Sequence, residues 1–88
     1  MKEKKDRKIE EFTEAHTKHL RSVAIFCIYD HPTDYPDHFV VRLWDGEEPT
    51  HTIVLADTLA EARAAIPQGL ACIKRTKGDD PKIVETWI

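Results

Sequence analysis

"SVAIFCIYDHPTDYPDHFVVRLWD", Ser22 to Asp45, holds two apolar runs separated by a polar stretch with two prolines. The first run is apolar on both alternations, with Val23, Ile25, Cys27 and Tyr29 on one face and Ala24, Phe26 and Ile28 on the other. Such a strand belongs in the centre of a sheet, covered on both sides. In the second run Phe39, Val41 and Leu43 alternate with Val40, Arg42 and Trp44, so one face is core and the other half wet. Between them "DHPTDYPDH" carries turn chemistry. Pro32 and Pro36 fix φ at two bends, Asp30 and Asp34 can accept backbone N–H groups, and Tyr35 can pack across the hairpin. The stretch therefore reads as a β-hairpin whose loop exceeds the usual length of about 2–5 residues.

Working outward, "THTIVLAD" (50–57) reads as a third strand after the turn "DGEEPT". "DTLAEARAAIPQG" (57–69) reads as a short helix. Thr58 and Glu61 have capping-box spacing, Leu59, Ala62 and Ile66 form the buried stripe, Pro67 ends the helix and Gly69 suits a left-handed cap. "LACIKR" (70–75) and "KIVETWI" (82–88) read as a closing hairpin around "TKGDDP". Upstream, "KEKKDRK" (2–8) is fully charged and expected to fray. Ile9, Phe12, His16, Leu20 and Val23 recur at spacings of three and four, which predicts a helix with a thin apolar stripe.

The expected fold is α+β, a small mostly antiparallel sheet in the order α-β-β-β-α-β-β. Residues 1–21 form a charged N-terminal helical segment and 22–88 a single α+β domain. The segment between Ala56 and Leu70 is long enough for a crossover, which allows one parallel pair.

Eighty-eight residues make one domain with a modest core. Residues 1–21 carry seven Lys/Arg against five Asp/Glu, whereas 22–88 carry six against eleven. An acidic body argues against a broad polyanion-binding face. No window approaches the ~18 apolar residues of a membrane span. "MKEKKDRKIEEF" has no apolar run after its charges, so no secretion signal is read and a cytoplasmic location is expected. Cys27 and Cys72 lie in apolar runs without a CxxC partner and read as buried, reduced thiols.

The runs "IYDHPTDYPDHFVVRLW", "LADTLAEARAAIPQGL" and "GDDPKIVETWI" resemble a family of short, uncharacterised bacterial proteins, over roughly residues 23–88. The resemblance implies a single small domain. It brings no activity, cofactor or site residue with it. The order α-β-β-β-α is also similar to the double-stranded-RNA-binding domain, but "DTLAEARAA" lacks the basic run expected at the start of that domain's second helix.

The polar and charged residues bear on four chemistries. His31 and His38, with Asp30, Asp34 and Asp37, offer nitrogen and oxygen ligands for a divalent metal in the loop Asp30–His38, yet no His pair there has the spacing of helix-borne zinc ligands. His16 and His19 lack a third ligand. Lys74, Arg75, Lys77 and Lys82, with Arg42, Trp44 and Trp87, could hold a nucleic-acid strand, against the nearby Asp79, Asp80 and Glu85. No nucleophile elbow, phosphate loop or H-E-x-x-H motif is present, so no catalytic residue and no cofactor are expected. The remaining reading is a non-catalytic protein-interaction module, expected to form a homodimer because its apolar faces exceed what one short helix covers. Asp34, Tyr35, Arg42, Trp44, Phe12 and Leu20 are its candidate surface residues.

Overall fold

A computed structural model describes residues 6–74 and 81–88. The elements run β1 (Arg7–Ile9), α1 (Glu14–Thr17), β2 (Ala24–Asp30), β3 (Phe39–Asp45), β4 (Glu48–Ala56), α2 (Leu59–Ala64), β5 (Cys72–Lys74) and β6 (Ile83–Trp87). They build one six-stranded sheet in the order β1-β4-β3-β2-β6-β5. The class is α+β, as expected, and the meander, the second helix and the closing hairpin are all present. The stated element order needs one correction. Residues 7–9 are a strand, parallel to β4, where a frayed end and a helix were expected, and α1 is a single turn. The expected turn "TKGDDP" falls mostly outside the described residues.

The sheet is mixed because of β1 alone. Every other neighbouring pair is antiparallel. The crossover through α2 does join two strands of the same direction, β4 and β5. It spans the whole width of β3, β2 and β6, so it adds no parallel pair.

Both helical segments lie over one face. Phe26 and Ile28 of β2, Val41 and Leu43 of β3, and Val54 and Ala56 of β4 meet Phe12, Ala62, Ala65 and Ile66 in the main core. Ile9, Leu20 and Trp87 pack against its margin. The N-terminal segment is therefore part of this core. Phe12 is pinned twice, its ring edge-on to Phe26 at 4.9 Å and its backbone N–H donated to the Ala65 carbonyl at 2.9 Å. Helix α2 starts as its residues dictate, with the Thr58 hydroxyl accepting the Glu61 N–H. The Glu61 carboxylate reaches back one residue further than a capping box requires, to the Asp57 N–H.

The β3–β4 turn is where a glycine is required. Gly46 has φ 63°, and its N–H is donated to the Val23 carbonyl at 2.8 Å. A Cβ there would lie 2.7 Å from Ser22 Oγ. The adjoining Asp45 carboxylate accepts the backbone N–H groups of Arg21 and Ser22, tying the turn to the start of β2. Gly46→Ala is expected to lower stability by about 1–3 kcal/mol through left-handed strain and crowding together. Thermal melting checks it, and an unchanged midpoint would contradict the tight turn.

Candidate functional site

The face away from the helices carries the polar chemistry. Strand register places Cys27, Arg42, Ile53 and Lys8 in one cross-strand row there, and Tyr29, Val40 and Leu55 in the next. Cys27, Val40, Ile53 and Ile83 are buried on this side, outside the main core. The β2–β3 loop folds as two turns. His31 N–H meets the His38 carbonyl, Tyr35 N–H the Pro32 carbonyl, and His38 N–H the Tyr35 carbonyl. His31 takes a left-handed conformation at φ 50°, tolerable for His at a turn.

Tyr35 ends beside Asp6, and this contact organises the face. The Asp6 side chain is 2% exposed and that of Arg42 15%. Arg42 Nη1 donates to Asp6 Oδ1 at 3.1 Å and Nη2 to Asp6 Oδ2 at 3.2 Å, a fork of two parallel bonds. Nη1 also donates to the Thr50 carbonyl at 2.7 Å. The Tyr35 hydroxyl donates to Asp6 Oδ2 at 2.9 Å, and His51 Nδ1 lies 3.4 Å from Oδ1. Burial by itself would raise the Asp6 pKa. The hydrogen bonds from Arg42 and Tyr35 and the guanidinium charge outweigh it and bring the carboxyl down to about 2. Burial and the bond to Asp6 raise the Tyr35 phenol, so it stays protonated.

An open cleft of 390 Å³ lies between this loop and the sheet. Tyr29, Val40 and Pro32 give it apolar walls. Thr33 and Asp34 approach from the loop, and Arg42 and Lys82 from the sheet side.

The sequence-predicted residues separate clearly. Asp34, Tyr35 and Arg42 come together around the cleft and the Asp6 cluster. Trp44 lies on the same face further along β3, half-buried, and its indole N–H has no acceptor among the described residues. Phe12 is buried and Leu20 packs on the core margin, which leaves Phe12 no surface to present to a partner. The metal candidates are not gathered. His31 Nδ1 is 2.5 Å from Asp30, and His38 Nε2 is 3.9 Å from Asp57. Among the described residues, no three His, Cys, Asp or Glu side chains converge as a metal site would need. The nucleic-acid candidates are split. Trp87 packs with the helix-side core, whereas Arg42 and Trp44 face the other way, and Arg75 and Lys77 lie outside the described residues. Cys72 is exposed, contrary to the expectation of two buried thiols. It pairs in register with Trp87, while Cys27 pairs with Thr86, so the thiols lie on opposite faces and two strands apart. Asp6 was missed because it sits in a charged run with no local signal of burial.

Comparison with protein-family models, with curated proteins and with solved structures gives no match.

Proposed function

We propose that this chain is a non-catalytic interaction module that associates with a second copy of itself through the end of the sheet face remote from the loop. One observation carries this reading. The three large hydrophobics most exposed among the described residues are Val23 (52%), Ile73 (47%) and Ile88 (39%). Strand alternation puts all three on one face, with Ile25 and Trp44. Ile25 pairs with Trp44, Ile73 with Thr86 and thence Cys27, and Ile88 follows Trp87, which faces the helices. Scattered exposed apolar side chains need no explanation, but a row of them on one face does.

A second copy fits this surface because the row ends at β5, a sheet edge. Its outward backbone groups can be met by the same strand of another copy running antiparallel about a two-fold axis. With only three residues in β5, the apolar face must supply most of the contact. The acidic balance of residues 22–88 and the division of the aromatics between two faces weigh against nucleic acid as the partner. The test is a concentration series of backbone amide spectra. Shifts concentrated at Val23, Ile25, Trp44, Ile73 and Ile88 are expected. Shifts confined to the helix side, or no concentration dependence, would overturn the reading.

A further inference from the structure

The cleft beside the loop is a different place from the apolar row, and it has an incomplete hydrogen-bonding group in its wall. Arg42 presents two edges. The Nη1/Nη2 edge is spent on Asp6, with a further Nη1 bond to the Thr50 carbonyl. These bonds fix the guanidinium plane. The other edge, Nε with the remaining hydrogen of Nη2, meets no acceptor among the described residues. That edge offers two parallel N–H groups, the spacing that matches a carboxylate. Burial opposes the charged form, but the hydrogen bonds to Asp6 and its negative charge outweigh it and keep the guanidinium charged.

The surroundings narrow the ligand. Asp6 neutralises Arg42, Lys82 adds one positive charge to the cleft and Asp34 one negative charge. A single carboxylate is accommodated at the Arg42 end, and a second would meet Asp34. Tyr29, Pro32 and Val40 form apolar walls suited to a flat body. The volume of 390 Å³ falls at the small end of ligand pockets, which run from about 300 to 1,000 Å³.

We propose that this cleft binds a small monocarboxylate with a flat apolar body, its carboxylate forked on the Nε/Nη2 edge of Arg42. The reading stands on its own and does not rest on self-association.

The test uses benzoate and its uncharged isostere benzamide on the full chain, followed by proton–nitrogen correlation spectra that include the arginine Nε–H signals. Benzoate is expected to move the Arg42 Nε–H signal saturably and to bind about tenfold or more tightly than benzamide. Thr33→Trp, at an exposed position on the cleft, is expected to abolish the shift by filling the space while leaving the Asp6–Arg42 fork intact. Arg42→Lys keeps the charge and loses the fork, so the preference for benzoate should collapse. Equal binding of the two probes, a benzoate shift that survives Thr33→Trp, or an Arg42 Nε–H signal unmoved at saturating benzoate would each overturn the proposal.

Discussion

Arg42→Ala is expected to destabilise the protein by about 3–5 kcal/mol, the cost of leaving a buried carboxylate without its cation. Among the described residues, Asp6 would keep the Tyr35 hydroxyl and the more distant His51. The Thr50 carbonyl would also lose a donor. For a chain of this size each kcal/mol moves the melting midpoint by roughly 4–8 °C, so the variant melts far below the wild type or does not fold. The effect is a penalty of breaking the pair and does not measure the worth of the pair. Replacing both partners by apolar residues, Asp6→Leu with Arg42→Met, should therefore recover most of the loss, as a double-mutant cycle by urea unfolding would show.

The same cluster sets an acid limit. The Asp6 carboxyl is held at about 2, below its ordinary 3.8. A carboxylate with a depressed folded-state pKa contributes stability that is fully present above the unfolded value and lost as pH falls through the folded one. The contribution is at most about 2.5 kcal/mol and disappears between roughly pH 4 and pH 2. Asp6→Asn should flatten the stability profile in that window, and an unchanged profile would contradict the cluster.

Phe12→Ala carries the second large effect, about 3–5 kcal/mol, from a lost aromatic and the cavity it leaves. Phe12 touches Phe26 edge-on and sits in the core with Ala65 and Ile66. A loss this large would show that residues 6–21 fold with the rest of the chain. Were the N-terminal segment an exposed docking helix, the same substitution would cost a few tenths of a kcal/mol. Urea unfolding separates the two outcomes without reference to any partner.

These residues also show what could be read in advance. The spacing of Ile9, Phe12, His16, Leu20 and Val23 reads as one stripe; Ile9, Phe12 and Leu20 do face the core, whereas Val23 is exposed on the opposite face of the sheet. Their spacing suited a helix, but helical spacing only reports that side chains share a side. Here Ile9 shares it from a strand, Phe12 from an irregular segment anchored on Ala65, and Leu20 from beyond a one-turn helix. The β1–β4 pairing joins Arg7–Ile9 to Thr52–Val54, and nothing local announces a parallel contact so distant in sequence. By contrast, β2, β3, β4 and α2 are local structures with their own turn and cap residues, and they were legible to within a few residues.

The candidate site divides in the same way. Asp34, Tyr35 and Arg42 are legible in the sequence because a long, proline-stiffened loop leads into a half-wet strand. Their common centre, Asp6, was invisible because a carboxylate in a charged run looks solvated until the fold buries it. The apolar row of Val23, Ile73 and Ile88 was hidden for another reason. Its members come from segments that meet only through β6, which lies between β2 and β5.

Self-association through that row is tested by light scattering on the full chain over a range of concentrations, for the wild type and for Ile73→Lys with Ile88→Lys. A mass rising from one copy to two in the wild type and staying at one copy in the variant is the predicted result. A wild type that remains a single copy at the highest concentration, or a variant that dimerises equally well, would contradict it.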